Sequence, residues 1–171
     1  MMHKSCSFAL IATLLAACGA PPAADKTETV RPLASTDMLA QVRAAGKLGN
    51  ELDVQPLRDP QVEDLRTLAT LAEQRGDFVA AERSLALALR LLPNDPDLSQ
   101  WQAELALVQR RWGDAETLAQ RSFDHGPKLG GLCRRNWTTL QFARQSRGDA
   151  VGAGQARQRI AGCTVAPPVR M

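Results

Sequence analysis

Few side chains in this 171-residue chain are of the types that bind metals or act as nucleophiles, and the cysteines and histidines are the clearest candidates. They are Cys6, Cys18, Cys133, Cys163, His3 and His125. Asp124 and His125, taken with Cys133 and Cys163, offer metal-ligating atoms, but they do not have the tight spacing that zinc sites use. The sequence also lacks a glycine-rich phosphate loop and a serine nucleophile elbow. We therefore predict no metal, no cofactor and no enzymatic activity.

Cys18 follows an apolar segment near the N-terminus. Lys4 precedes a run over residues 8–17 that is long enough for the core of a signal peptide and too short to span a bilayer as a stable helix. The run ends in Leu15-Ala16-Ala17-Cys18, which resembles the lipobox of bacterial lipoproteins. This resemblance implies a signal peptide over residues 1–17 and a lipid on the Cys18 thiol. The alternative is an ordinary signal peptide that happens to contain a cysteine.

The residues after Cys18 predict where the protein resides. Gly19 stands where an aspartate would retain a lipoprotein in the inner membrane, so the resemblance implies a lipid anchor in the outer membrane, facing the periplasm. Two or more acyl chains suffice for stable anchoring. Residues 18–34 are poor in large apolar side chains and contain three prolines, which predicts a disordered tether. The periplasm contains no nucleic acid, so we expect no nucleic-acid partner.

A repeat with a period of about 36 residues organises the rest of the chain. Arg-Gly-Asp occurs at 75–77 and 147–149, and Trp-Gly-Asp occurs at 112–114. The residues that repeat are Leu65, Trp101 and Trp137, each followed 11 or 12 positions later by Gly76, Gly113 or Gly148. Helical hairpins explain this pattern, because glycine permits a left-handed helix end and aspartate caps the helix that follows. The period therefore favours a structural role for Arg-Gly-Asp over an adhesion signal.

The first unit resembles a tetratricopeptide repeat. The matching residues are Leu65, Leu68, Ala69, Gly76, Asp77, Ala81, Leu85, Ala88 and Pro93. In the second unit, Leu118 and His125 stand near where the family has small residues. The resemblance implies an all-α fold, an α-solenoid of about three hairpins over 61–95, 97–130 and 133–163. A short helix and loop over 35–60 would precede it, and a tail over 164–171 would follow. The tryptophans are interpreted as packing residues.

The two cysteines of the last unit form an even pair in an oxidising compartment. Cys133 precedes the first predicted helix of that unit and Cys163 follows the second. Antiparallel helices bring these two points to the same end of a hairpin, so we predict a disulfide between them. The alternative is two buried free thiols.

The tetratricopeptide resemblance also implies a groove lined by the first helix of each hairpin, where a peptide would bind. The residues that match this position are Arg66, Thr70, Glu73, Gln102, Arg110, Arg135, Thr138 and Gln145.

Charge is spread unevenly along the chain. Residues 18–125 carry 12 basic and 17 acidic side chains, whereas residues 126–171 carry 8 basic and 1 acidic. A basic C-terminal end predicts an acidic protein surface or an anionic cell-wall polymer as partner, unless it is simply a solvated face.

Together these features predict a lipoprotein scaffold for envelope complexes, similar to the lipoproteins of pilus and secretin assembly. The alternatives are an adaptor for peptidoglycan-modifying enzymes, a tether that binds the cell wall, or an accessory subunit of an envelope enzyme.

Overall fold

The computed structural model describes residues 33–49, 57 and 59–164, and this part of the chain forms seven α-helices and no strand. The helices are α1 (Ser35–Gly46), α2 (Pro60–Gln74), α3 (Phe78–Leu91), α4 (Pro96–Val108), α5 (Trp112–His125), α6 (Gly130–Ser146) and α7 (Ala150–Ala161). The prediction of an all-α, repeat-like fold is confirmed. The predicted signal peptide, Cys18 and most of the tether and the tail lie outside the described residues. None of the described helices is long and apolar enough to cross a membrane.

The first and third hairpins turn at a Gly-Asp pair, for local reasons. Gly76 has φ +75° and Gly148 has φ +84°, a left-handed conformation that glycine adopts without steric cost. The next residue caps the following helix: Asp77 accepts a hydrogen bond from the backbone N–H of Ala80 at 2.9 Å, and Asp149 accepts one from that of Gly152 at 2.8 Å. Glycine and aspartate therefore repeat because each supplies one part of the turn.

The second hairpin turns three residues earlier than the sequence predicted. The helix α4 ends at Val108 and α5 begins at Trp112, so Gly113 lies in the first turn of α5 and not between the helices. The left-handed residue of this turn is Arg110, with φ 60°, and the N-cap residue Arg111 makes no side-chain cap. The prediction that Gly113 marks the turn is wrong.

Packing of small side chains accounts for this register. The buried residues of α5 are Ala115, Ala119 and Ser122, which stand the same number of steps after the N-cap as Ala81, Leu85 and Ala88 in α3. Small residues at these positions allow neighbouring helices to approach closely. A turn at Gly113 would instead place Leu118 and His125 there, so the close packing of α5 outweighs the local preference of glycine for a turn.

Alanine substitutions distinguish the two kinds of glycine. An added Cβ meets no atom within 4 Å at either Gly113 or Gly148, so only the backbone conformation differs. We expect Gly113→Ala to stabilise the domain by about 0.5 kcal/mol, because alanine is the better helix former. Gly148→Ala should destabilise it by about 1 kcal/mol, because φ is positive there. Urea denaturation measures both, and an equal loss in the two variants would contradict the observed register.

The short helix α1 belongs to the folded body. It packs against α4 and α6, the first helices of the second and third hairpins. Met38 and Val42 of α1 are buried in one cluster with Leu107 of α4 and Phe142 of α6. The central helix α4 contacts α1, α3, α5 and α6, and nine of its residues are buried.

Candidate functional site

The predicted peptide groove corresponds to the face formed by α2, α4 and α6, here called the first-helix face. The helix α1 lies on this face and covers part of it. Its C-terminal end is held by Arg134 of α6, whose Nε donates to the carbonyl oxygen of Ala45 at 3.0 Å and whose Nη2 donates to that of Leu48. The carbonyl oxygen of Ala45 also accepts from the backbone N–H of Leu48, so Arg134 adds side-chain donors at and just beyond the end of α1. The chain thus places one of its own helices where the family resemblance implies a ligand.

Glycine is needed where α1 meets α6. A Cβ added to Gly131 would lie 2.4 Å from the carbonyl oxygen of Gly46, and one added to Gly46 would lie 2.7 Å from Cδ of Arg135. The close approach of the two backbones therefore requires glycine at position 131, whereas a side chain at position 46 would displace the side chain of Arg135.

Two cavities remain on either side of α1. The first, of 550 Å³, lies between α1, α2, α4 and α6 and brings together four of the predicted groove residues, namely Arg66, Thr70, Glu73 and Arg135. The second, of 580 Å³, lies between α1, α6 and α7 and includes Thr138 and Gln145, with Phe142 and Ile160 as apolar lining.

Two predicted groove residues line neither of these cavities. Gln102 is half-buried on α4, and Arg110 is exposed in the turn after it. Their assignment assumed the turn at Gly113, and the shift of three residues moves them off the predicted position.

Trp101 has a different environment from Trp137. Ser99 occupies the position that Leu65 and Trp137 hold in the other hairpins, 11 residues before the left-handed residue of the turn, and it is 1% exposed. Trp101 stands two residues later, so it packs only partly against the core and also lines the first cavity. The packing role predicted for Trp101 is therefore incomplete.

Ion pairs cross the first-helix face from α2 to α6, and we call them the first-helix network. Its members are Arg43, Arg66, Glu73, Asp97, Trp101, Glu104 and Arg135. Arg43 pairs with Glu73 at 2.6 Å and with Glu104 at 3.0 Å, and Arg135 pairs with Glu104 at 2.8 Å and Asp97 at 3.2 Å.

Trp101 and Arg66 close the first-helix network into a ring. Arg66 pairs with Asp97 at 2.9 Å and lies 5.3 Å from the centroid of the Trp101 ring. The indole Nε1 of Trp101 donates to Glu73 at 2.8 Å. Each side chain is thereby held between two others, which fixes the shape of this face.

Glu104 is the centre of this network, and its side chain is fully buried. Burial acts to lower the pKa of Arg43, but hydrogen bonding and attraction from Glu73 and Glu104 raise it above its ordinary value. Burial likewise acts to lower the pKa of Arg135, and Glu104 and Asp97 more than reverse that effect. Both guanidinium groups therefore stay charged, which suits binding and rigidity and not proton transfer.

Sequence reasoning missed Arg43, Asp97 and Glu104. A signal for Glu104 exists, because it is a single acidic residue within the apolar segment Ala103–Val108 of α4. If such an apolar segment is buried, its charged residue must have a partner of opposite charge. Glu104 therefore indicated a buried ion pair.

The structure changes the interpretation of the charge asymmetry. Three arginines of the third hairpin pair with acidic residues of the second: Arg135 with Asp97 and Glu104, and Arg144 and Arg147 with Glu116 at 2.8 and 2.6 Å. Much of the basic charge predicted to attract a partner is neutralised by the neighbouring hairpin of the same chain.

The cysteines of the third hairpin are joined to each other. The Sγ atoms of Cys133 and Cys163 are 2.00 Å apart, in a disulfide. His125 is exposed at the end of α5. Within the described residues, no three histidine, cysteine or acidic side chains lie together in a way that could hold a metal ion.

Comparison with known proteins relates this fold to a bacterial lipoprotein. No protein-family model matches the chain, and no match is found among the curated proteins. Among solved structures, the chain is similar to the globular C-terminal domain of P. aeruginosa LpoP, with a TM-score of 0.57 and 30% sequence identity. The match covers 61% of this chain and 99% of that one. It supports a lipoprotein of a Gram-negative bacterium, while the tetratricopeptide resemblance stays a prediction. Because the identity extends over nearly the whole of that domain, the chain belongs to the family of the LpoP globular C-terminal domain.

Proposed function

We propose that the chain is an outer-membrane lipoprotein whose helical domain binds a protein of the cell envelope, and that this partner belongs to the machinery that builds peptidoglycan. The observation that carries the proposal is the likeness to LpoP, which extends over 99% of the LpoP domain at 30% identity. The domain would act as a binding module and not as an enzyme.

The first-helix network supports a binding role. Its side chains are held in place by ion pairs before any partner arrives, and Arg66, Glu73 and Trp101 also line an open cavity. A surface that is already ordered loses less conformational entropy on binding than a mobile one. A protein partner with charged groups that complement this cavity is the ligand that we propose.

The tether predicted from the sequence would limit where such a partner can be met. If residues 18–34 form a disordered chain, as predicted, its root-mean-square length would be roughly 23 Å and its maximum about 60 Å. The domain would then stay in the outer part of the periplasm, and the partner would need to extend toward it.

The alternatives predicted from the sequence differ in their support. A role in pilus or secretin assembly stays a prediction, and the likeness to LpoP favours the peptidoglycan machinery instead. A tether that binds the cell wall through the basic end is less favoured, because Arg135, Arg144 and Arg147 are paired within the chain.

Cross-linking in intact cells tests the proposal. A photo-reactive residue at the exposed position Gln74, at the rim of the first cavity, should cross-link to a peptidoglycan synthase or to a protein bound to one. The same residue at Arg83, exposed on α3, serves as the control. Exclusive cross-links to pilus or secretin components would contradict the proposal. The purified chain alone should leave isolated peptidoglycan unchanged.

Replacing Cys18 with alanine should release the protein from the membrane fraction, because the thiol that would carry the lipid is removed. Cell fractionation followed by immunodetection measures this release. A variant with Cys6→Ala, inside the predicted signal peptide, is the matched control and should remain in the membrane fraction. Membrane association that survives Cys18→Ala would overturn the anchoring prediction.

A further inference from the structure

A second groove lies between α5 and α7. These helices flank α6 without packing against each other, and they leave a cavity of 780 Å³ that no residue of α1 lines. We call it the α5–α7 groove, and its lining includes Phe123, Lys128, Trp137, Gln155, Gln158 and Arg159. None of the described residues that line it is acidic.

Three cations line the α5–α7 groove, and one of them, Arg144, pairs with Glu116 at 2.8 Å. The other two, Lys128 and Arg159, differ from the cations of the first-helix network. Lys128 donates to the backbone carbonyl oxygens of Phe123 and Asp124, and its Nζ lies 4.3 Å from the centroid of the Phe123 ring. The guanidinium of Arg159 lies 5.3 Å from the centroid of the Trp137 ring. Neither cation has a carboxylate partner among the described residues, so the groove has a positive potential that the domain itself does not neutralise.

The floor of the groove is apolar, and a cation lies over each of its two rings. Phe123 and Trp137 contact each other edge to face, with centroids 4.9 Å apart, and Lys128 and Arg159 lie over their rings. Trp137 is only 8% exposed, whereas Phe123 is half-buried. A sugar that stacks face-on would compete with these cations for the rings, whereas an aliphatic side chain can pack beside them, which favours a peptide over a glycan. Exposed amide groups of Gln155 and Gln158 on α7 can donate to and accept from a peptide backbone.

The length of the groove suits a short peptide. Its floor follows α6 from Cys133 to Arg144, a rise of about 16 Å at 1.5 Å per residue. An extended chain of about five residues spans that distance.

We propose that the α5–α7 groove binds an acidic, partly apolar segment of about five residues from a partner protein, with carboxylates on Lys128 and Arg159 and apolar side chains against Phe123 and Trp137. This inference rests on the proposed function, since it assumes that the partner is a protein. It adds a second surface, distinct from the first-helix face, and it specifies the chemistry of the segment that binds there.

Fluorescence anisotropy with a defined peptide tests the inference. The probe is a fluorescein-labelled peptide of seven alternating glutamate and leucine residues, added to the lipidated mature chain in non-ionic detergent micelles. The control peptide has glutamine in place of each glutamate. We expect the glutamine peptide to bind at least tenfold more weakly, because it cannot neutralise the two cations.

Two arginines of α7 make a matched pair of variants. Arg159→Glu should weaken binding of the glutamate peptide at least tenfold. Arg157→Glu makes the same change of net charge two residues away, but Arg157 lines the cavity next to α1 and not the α5–α7 groove. This variant should change the dissociation constant of the glutamate peptide less than threefold. Lys128→Glu, in the segment between α5 and α6, is an independent second variant in case Arg159→Glu disturbs folding, which circular dichroism monitors.

Three outcomes would overturn the inference. One is an equal loss of binding in Arg157→Glu and Arg159→Glu, which would indicate net charge alone. Another is that the peptide does not bind, whereas isolated peptidoglycan does and Arg159→Glu abolishes that binding of peptidoglycan. This result would indicate a polymer site. The third is peptide binding that Lys128→Glu and Arg159→Glu leave unchanged. The proposed function is tested separately by the cross-linking from Gln74. If cross-links to the peptidoglycan machinery persist in all these variants, the proposed function stands. If the wild type forms no such cross-links, the proposed function is contradicted whatever the peptide does.

Discussion

Replacing Glu104 with alanine should lower the free energy of unfolding by at least about 3 kcal/mol, within the 3–5 kcal/mol range for removing one partner of a buried ion pair. The carboxylate is fully buried and accepts hydrogen bonds from Arg43 and Arg135. Both guanidinium groups would stay charged in the variant and keep only Glu73 and Asp97 as partners. Urea denaturation measures the loss, and we expect α1 to detach first because Arg43 connects it to α4.

Two further variants separate the loss of the buried charge from the loss of side-chain volume and of a carboxylate in general. Glu104→Gln keeps the side-chain volume, so it should lose less unfolding free energy than Glu104→Ala. Asp114→Ala removes a carboxylate that pairs with Arg111 at 2.7 Å but is 59% exposed, so it should cost less than about 1 kcal/mol. If Glu104→Ala costs no more than Asp114→Ala, the first-helix network does not stabilise the domain as argued.

The raised pKa of Arg43 and of Arg135 also has a consequence for pH. A group whose pKa is higher in the folded state contributes stability that is complete below its unfolded pKa and is lost only as the pH rises through the folded value. For these arginines that range lies above the ordinary arginine pKa. Their contribution should therefore be constant from neutral to mildly alkaline pH.

Removing the disulfide should cost between about 3 and 4 kcal/mol, the loop-closure entropy of a cross-link across 31 residues. Cys133 and Cys163 are 30 positions apart and join the start of α6 to the residue just past the end of α7. The helix α7 needs this link because Gly152 and Gly154 each disfavour it by roughly 1 kcal/mol relative to alanine. Urea denaturation of a variant with serine at both cysteines, and of the reduced wild type, measures the effect.

Glycine substitutions in α7 provide the control for the disulfide. A Cβ at Gly154 meets nothing within 4 Å, so Gly154→Ala should restore about 1 kcal/mol to the double serine variant. A Cβ at Gly152 would lie 2.0 Å from Oδ2 of Asp149, the residue that caps α7, so Gly152→Ala should restore less. A double serine variant that unfolds at the wild-type urea concentration would contradict the entropic argument.

Local signals predicted most of the helices. Asp77 and Asp149 cap helices from the positions that the sequence indicated, because capping and left-handed glycine depend on a few consecutive residues. Gly113 is also followed by an aspartate but lies inside a helix. There the burial of Ala115 and Ala119 between neighbouring helices decides the register, and that burial depends on residues far away in the chain.

The candidate site was less predictable than the fold. Arg66, Thr70, Glu73 and Arg135 lie together around one cavity, but Arg43, which pairs with Glu73, comes from a helix that the sequence placed outside the repeats. The partners of the basic third hairpin were also invisible, since an ion pair such as Arg144 with Glu116 joins residues that are 28 positions apart.

Residue patterns along the chain were enough to predict the helical class, the hairpin period and the placement of Cys133 and Cys163 at the same end of a hairpin, because these follow from apolar spacing, capping residues and antiparallel geometry. Three features became visible only in the folded domain: the turn at Arg110, the docking of α1 on the first-helix face, and the pairing of the third hairpin's arginines with the second hairpin's carboxylates. Each of these depends on which surfaces of distant segments fit together, and a linear pattern of residues does not encode that fit locally. Lys128 and Arg159 could not be singled out from the sequence for the same reason. Only in the folded domain can one see that they have no carboxylate partner among the described residues.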